Sequence, residues 1–377
     1  ASTPSSEGLP FLLTFPQKRY PQAKCLDGSP AGIYLRPGLP KQMLVYFSAG
    51  YYCIDQHHCP PTHQDELQTC QERSRSPLGS SKDWSRVLPE PDGYLSSDPT
   101  ENPLFHAWTL LVVPYCDGAA FAGEANISGL VFNGRAILRA VLSELLALGA
   151  RRAEKVVLAG ASSGATALFY HADYIRQRLR LRHGEVVALA DSGYLLDRYD
   201  LDHGLCFPDQ FRSLMLMSHA CRHLHAGCVQ RFPEDPCRCL FPQYFTDLIE
   251  TRFMVLQSTV DYEQLRVLNV RCNYSATPPC LHSDRVPIHA IAKETSRLWR
   301  PFIRKPGNGA FAPACLMHMM HRKGMGLWTG LEMKVLRRRP TNIVSLVERW
   351  LFQNASNYSR LSLELFPSVD DDIQTCR

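Results

Sequence analysis

Gly160-Ala161-Ser162-Ser163-Gly164 fits the pattern G-x-S-x-G, in which a serine hydroxyl stands on a sharp strand-to-helix corner and attacks an acyl carbon. Five residues are a short pattern, and a plain glycine turn would satisfy it equally. Its surroundings favour chemistry. The motif follows the β-branched run Val156-Val-Leu-Ala159 and leads into a helical stretch from Ala165 to Leu179, so Ser162 falls at the positive end of that helix. A serine hydroxyl is a poor nucleophile at neutral pH and needs a histidine base, itself oriented by a carboxylate.

In this arrangement the chain order is Ser, then Asp or Glu, then His. Asp261 follows the strand-like run Phe253-Met-Val-Leu-Gln257, while Asp191 ends Val186-Val-Ala-Leu-Ala190 and is its rival. Four histidines come after Asp261: His282, His289, His318 and His321. His318 is preferred, because Phe311-Ala-Pro-Ala-Cys-Leu-Met-His318 surrounds it with apolar residues and a cysteine able to pin the loop. Stabilising the developing oxyanion needs backbone N–H donors, one from Ser163 and others from a loop after an early strand. Gly50-Tyr51, directly after Lys41–Phe47, supplies that loop, and a disulfide at Cys53 would stiffen it.

Other ligand types fit structure better than metal chemistry. His219-Ala-Cys-Arg-His-Leu-His-Ala-Gly-Cys228 with Cys237-Arg-Cys239 lacks the paired spacing that closes a tetrahedral zinc site. His57-His-Cys59 reads as a loop. No metal or other cofactor is expected, since the Ser–His–Asp apparatus uses side chains alone.

The elements that must position these residues alternate. Asn133 can cap a helix with apolar Ile137, Val141, Leu145 and Leu148, which Gly149 would end. With strands at 41–47, 110–114, 156–159, 186–190 and 253–257, the order argues an α/β-hydrolase fold: a mostly parallel sheet with helices on both faces. Residues 1–22 read as a loose surface segment, and 23–377 as one domain. Residues 60–103 look like an excursion from the core, about 200–248 like a helix-poor, cysteine-rich capping insertion, and the pattern after 330 is poor.

Composition sets the outer bounds. The chain has 377 residues, 45% hydrophobic and 20% charged, enough apolar material to rule out disorder as the main state. A net charge of +5 is spread too thinly to argue for nucleic acid. No apolar run reaches the roughly 18 residues of a membrane span. Fourteen cysteines permit seven disulfides, with 53/59 and 272/280 as local candidates. Sequons at Asn126, Asn273, Asn354 and Asn357 join them in pointing to an oxidising, extracellular route. A leader is absent from the start, so a signal peptide would already have been removed.

Several longer motifs occur in one order: Cys25-Leu-Asp-Gly-Ser-Pro-Ala-Gly-Ile-Tyr34, Gly50-Tyr-Tyr-Cys53, Ser80-Ser-Lys-Asp-Trp84, Leu95-Ser-Ser with Glu101-Asn-Pro103, and Pro114-Tyr-Cys116. The elbow, Leu189-Ala-Asp-Ser-Gly-Tyr-Leu-Leu-Asp197, Asp261-Tyr-Glu-Gln-Leu265 and Phe311–His318 complete the set. From about Cys25 to Trp328 the chain thus resembles the pectin acetylesterase/Notum family of serine carboxylesterases, most closely its palmitoleoyl-protein carboxylesterase branch. The resemblance implies Ser162 as nucleophile, Asp261 as acid, His318 as base, and oxyanion donors at Gly50, Tyr51 and Ser163. It further implies a secreted enzyme that removes the palmitoleoyl ester from a serine of Wnt proteins, with glypican or heparan sulfate as partner. The family's other branch implies a polysaccharide O-acetylesterase.

The departures are local. Ala49-Gly50-Tyr51 stands in place of Gly-Gly-Trp, and Ser162-Ser-Gly-Ala165 in place of Ser-Ala-Gly-Gly. Glu263 replaces an alanine beside the lipid pocket, where an unpaired carboxylate would be costly to bury. Around the implied acyl pocket of Tyr52, Leu195, Leu240, Phe241 and Val267, the residues Leu195 and Leu240 replace aromatics. These changes imply a pocket reshaped for another acyl group, or a catalytically weak secreted protein that binds lipid or glycan. Arg337-Arg-Arg339 would then serve sulfated glycans.

Overall fold

The computed structural model describes residues 10–352 except 56, 60, 90, 200–205, 271, 274, 277, 322–326, 331 and 334–340, together with 362–364. Nine strands form one sheet: β1 (Phe11–Thr14), β2 (Gly32–Arg36), β3 (Leu39–Phe47), β4 (Trp108–Val113), β5 (Lys155–Ala161), β6 (Glu185–Asp191), β7 (Arg252–Leu256), β8 (Gly309–Ala312) and β9 (Ser362–Glu364). Their spatial order is β1-β2-β4-β3-β5-β6-β7-β8-β9. Only the β1–β2 and β2–β4 pairings are antiparallel; from β4 to β9 all neighbours run parallel. This is the α/β-hydrolase arrangement.

Alternation along β3 divides the core. Met43, Val45 and Phe47 face one apolar cluster, which includes Ile137 and Val141 of the helix Gly134–Ala147, Leu168 of Ser163–Leu179 and Trp299 of Arg285–Ile303. Leu44 and Tyr46 face the other, with Tyr94, Phe105, Trp108 and the helix Ile343–Phe352. A strand's side chains point alternately to its two faces, so an unbroken apolar run of this kind must be covered on both.

Several expectations need correction. Phe11–Thr14 is an edge strand on β2, and Phe15 is buried, so residues 10–22 are docked rather than loose. The stretch 60–103 carries the helix His63–Arg73 and buries Tyr94 in the second core. Asn133 does not cap its helix; its amide donates to the carbonyl of Gln22 instead. Gly149 does take the left-handed φ of 87° just past that helix. The insertion is helical, with Phe207–Met217 and Ala226–Arg231. After 330, Ile343–Phe352 buries Trp350 and Leu351; the arginines 337–339 lie outside the described residues.

The described disulfides are 25–116, 53–70, 59–206, 221–237, 228–239 and 272–280. The 272/280 expectation holds and the 53/59 one does not, because Cys53 reaches the helix at Cys70 and Cys59 reaches the insertion. Cys315 is also disulfide-bonded. Among the described residues no helix is long and apolar enough to cross a membrane.

Candidate active site

Ser162 sits between β5 and the helix Ser163–Leu179 with φ 51° and ψ −123°, a conformation L-residues avoid unless the surroundings impose it. Tight packing imposes it here. A Cβ on Gly160 would lie 2.6 Å from the Gly164 carbonyl carbon, and one on Gly164 would run into the carbonyl oxygen of Phe47. The two glycines therefore let the helix start against β3, and Ser162 N–H donates to the carbonyl of Asp191 at 2.8 Å.

Asp261 lies just past β7 and opens the short helix Tyr262–Val267, where its carboxylate accepts the N–H of Gln264. The same carboxylate is 3.0 and 3.1 Å from His318 Nδ1. Both groups are sheltered, with side chains 5% and 12% exposed. Burial pushes the His318 pKa down. The charge and hydrogen bond of Asp261, with smaller contributions from Glu263 and Asp191, more than offset this and leave it above 6.5. The Nδ1 proton on Asp261 leaves Nε2 available to take a proton from a nucleophile.

Asp191 and His321, the alternatives to this acid and base, are themselves paired. His321 Nδ1 lies 2.8 Å from Asp191 Oδ2, and both residues are buried. Of the remaining histidines, His282 is exposed and His289 lies on the helix Arg285–Ile303.

The loop after β3 is held from below. Tyr51 takes φ 59°, and the Arg73 guanidinium donates to the carbonyls of Gly50 and Tyr52 while resting 5.6 Å above the Tyr115 ring. Cys53–Cys70 ties this loop to the helix that carries Arg73. Within the described residues the N–H groups of Tyr51 and Ser163 donate to no acceptor, whereas Gly50 N–H donates to Ser163 Oγ at 2.9 Å. Sequence reasoning did not single out Arg73, whose surroundings Glu72-Arg-Ser-Arg look like an ordinary solvated helix end.

The expected acyl-pocket residues do not line an open slot. Leu240 and Phe241 are 0% exposed, so no water-sized space touches them. Tyr52 packs on Phe211 at 4.3 Å and Phe211 on Phe241 at 6.0 Å; Val267 is buried and Leu195 half-buried. At the mouth, Glu263 is not unpaired. Arg266 Nε donates to it at 2.8 Å, and the same guanidinium lies 5.1 Å over the Tyr51 ring. Burial pushes the Tyr51 phenol up to about 12, so it stays neutral at any physiological pH.

Cys221, Cys228, Cys237 and Cys239 are all in disulfides, which removes them as thiolate ligands. Asp55, His58 and Asp65 do come within 4.8 Å of one another. Each already serves the local fold: Asp55 accepts the N–H groups of His57 and His58, and Asp65 completes the cap of the helix at Thr62.

Comparison with known proteins gives a consistent picture. A family model described as pectinacetylesterase matches residues 5–371. Pectin acetylesterase 4 of Arabidopsis thaliana is 30% identical over 252 residues, 65% of this chain and 58% of its own length. Human palmitoleoyl-protein carboxylesterase Notum is 28% identical over 323 residues, 82% of this chain and 61% of its own length. The matches thus cover less than two thirds of these two relatives' own lengths. The Wnt deacylase Notum from Drosophila superposes with a TM-score of 0.78 at 23% identity, over 97% of each chain, and so shares the fold.

Proposed function

The chain belongs to the pectinacetylesterase family, a family of esterases, and on that premise we propose that it is a secreted serine esterase. It removes a short acyl group from a hydroxyl of a polar, glycan-type substrate. The observation that carries the chemistry is His318 Nδ1 at 3.0 Å from a sheltered Asp261 carboxylate, on a segment whose Met320 and His321 N–H groups bond the same Asp191 that accepts the N–H of the strained Ser162.

In this mechanism His318 Nε2 takes the proton of Ser162 Oγ as the oxygen bonds to the acyl carbonyl carbon. The carbonyl electrons move onto the oxyanion, which accepts from the N–H groups of Tyr51 and Ser163. Collapse expels the alcohol, which leaves with the proton from His318, and the acyl group stays on Ser162. A water then gives a proton to His318 and attacks the acyl carbon; collapse breaks the bond to Ser162 Oγ, which takes that proton back from His318, and the acid departs and ionises. Asp261 holds the Nδ1–H tautomer and stabilises the transient imidazolium throughout.

Two features support a short acyl group and a polar substrate: the closed packing of Leu240 and Phe241, and the Glu263–Arg266 pair across Tyr51. This half-exposed ion pair keeps its hydration, and an alkyl chain laid over it would strip that water without replacing its hydrogen bonds. The second reading is release of a fatty acyl group from a Wnt-like secreted protein. The aromatic cluster of Tyr52, Phe207, Phe211 and Phe241 favours it, provided that cluster opens on binding. Nitrophenyl esters of increasing chain length separate the two. Turnover confined to acetyl and butyryl esters supports the first, and turnover rising to long chains overturns it. Fluorophosphonate labelling of the wild type but not of Ser162→Ala tests the nucleophile, and an unlabelled wild type would mean a binding protein instead.

Export through an oxidising compartment is supported by the disulfides, and Asn126 and Asn273 are exposed as glycosylation acceptors would be; Asn354 and Asn357 lie outside the described residues. For an anionic glycan partner, His289, Lys293, Arg297, Arg300 and Arg304 recur at helical spacing and line a cleft of about 680 Å³. Retention on heparin above physiological salt, lost on replacing Lys293 and Arg297, is the expected result.

A further inference from the structure

The end of β6 grips both halves of the catalytic apparatus. Through its main chain, Asp191 accepts the N–H of Ser162. Its carboxylate accepts the N–H of Met320 at 2.9 Å, the N–H of His321 at 3.0 Å and His321 Nδ1 at 2.8 Å. The next residue, Ser192, gives its hydroxyl to Asp191 Oδ1 and accepts the N–H of Met319 at 2.9 Å. Met319 takes φ 65°, a conformation that this set of acceptors holds in place.

His321 is locked in turn. Its Nε2 lies 3.2 Å from the Tyr46 hydroxyl on β3, and its ring stacks on Tyr94 at 4.7 Å. Asp191 is 0% exposed and His321 is 3% exposed. A carboxylate this deep requires several donors to be tolerated at all. All of these come from the segment immediately after His318, apart from Ser192. That is more than a loop anchor needs.

Resting on the serine esterase reading above, we propose that Asp191 and His321 form a second, buried pair that acts as a positioning device for His318. One residue, Asp191, fixes where both the nucleophile corner and the base loop sit, so the hydroxyl and imidazole share a single reference point. The pair touches neither substrate nor reacting atoms. Its second effect is electrostatic. The charged groups facing His318 are Asp261 at the end of β7, Glu263 on the helix Tyr262–Val267 and Asp191 at the end of β6, and each favours the protonated imidazole.

The test compares Asp191→Asn, His321→Leu and His321→Asn, the last of which keeps a donor near the position of Nδ1. In Asp191→Asn, kcat for a nitrophenyl acetate falls by about 10²-fold with KM nearly unchanged, as expected when reacting groups are displaced by about 1 Å. The His318 pKa, followed by NMR of its imidazole, drops in the same variant. His321→Leu loses kcat similarly, and His321→Asn restores most of it. Variants that lose only thermal stability, with the folded fraction keeping wild-type kcat and the wild-type His318 titration, would overturn the proposal. Should the wild type show no esterase activity, the serine reading fails, yet the NMR titration and its response to Asp191→Asn still decide the positioning claim. If Asp191→Asn does not fold, His321→Leu and His321→Asn carry the comparison.

Discussion

The hydroxyl of Ser163 accepts a hydrogen bond from the Gly50 N–H at 2.9 Å. Gly50 N–H is one of the donors expected to face the oxyanion, and here it is engaged by the side chain next to Ser162. Having accepted that bond, the Ser163 hydroxyl retains its own proton, which it can donate in place of the engaged N–H. Ser163→Ala removes the hydroxyl and frees Gly50 N–H together. Loss of a single oxyanion donor costs about 10²–10³ in turnover, but here one donor replaces another. Steady-state kcat for Ser163→Ala should therefore stay within about tenfold of wild type, and a loss near 10³-fold would show that the hydroxyl itself is indispensable.

The His318 pKa gives a prediction with a definite sign. Its pKa is raised above 6.5 by Asp261, with help from Glu263 and Asp191, and only the neutral imidazole can serve as base. The acid limb of kcat/KM should thus lie above 6.5, activity rising with pH through that limb. Asp261→Asn removes the largest stabiliser of the imidazolium and lets the ring adopt the wrong tautomer. The acid limb then moves to lower pH, while kcat drops by about 10⁴-fold. A pH–rate profile of the two proteins reads both effects. An acid limb that stayed put in Asp261→Asn would mean the limb belongs to another group.

How much of this was legible in the residues depends on whether local pattern or distant chain decides. The strands β3, β5, β6 and β7 announce themselves as apolar runs, because a sheet covered on both faces needs them apolar throughout. The serine corner is legible for a similar reason: glycines at 160 and 164 answer to backbone only a few residues away or on the neighbouring strand. The edge strand Phe11–Thr14 is exposed on most of its positions and short, so its pattern is weak. The helix Ile343–Phe352 is amphipathic over only ten residues, next to an arginine run that hides it. Asp191 and His321 were visible as individual residues but appeared as rivals to the acid and base. Nothing in spacing says that two carboxylates from the ends of different strands and two imidazoles three residues apart sort into two pairs. Only the fold does that.

Glu263 and Arg266 should govern which acyl groups enter. Arg266 Nε donates to Glu263 at 2.8 Å and its guanidinium lies on Tyr51, while both side chains keep some exposure, 37% and 26%. An exposed pair of this kind contributes little to stability, so removing both charges leaves folding nearly intact. Replacing Glu263 by Ala and Arg266 by Leu together turns a polar rim apolar, adding about 0.8 kcal/mol of binding for each methylene that becomes buried against it. The double variant should accept nitrophenyl octanoate relative to acetate at least about tenfold better than wild type. An unchanged chain-length profile would place the acyl group on another side of Ser162.

Asp173 ties the helix Ser163–Leu179, which follows the serine corner, to the insertion and to the entry of β7. Its carboxylate meets His225 Nε2 at 3.1 Å and accepts the N–H groups of Glu250 at 2.9 Å and Thr251 at 2.7 Å, with the Thr251 hydroxyl as a further donor. Burial alone would raise its pKa, but the hydrogen bonds from His225, Thr251 and Glu250 outweigh it and hold it at about 2, below the ordinary 3.8. A carboxyl whose folded pKa is depressed contributes stability that is fully present above its unfolded value and is lost as pH falls through the folded one. For this group the window runs from about pH 4 down to about 2, and the contribution is roughly 2 kcal/mol. Asp173→Asn should lower the unfolding free energy at pH 7 by about that amount, and the difference from wild type should shrink as the pH is taken below 4. Denaturant titrations of both proteins at pH 7 and pH 3 measure it, and a deficit as large at pH 3 as at pH 7 would show that the loss comes from packing rather than from the charge.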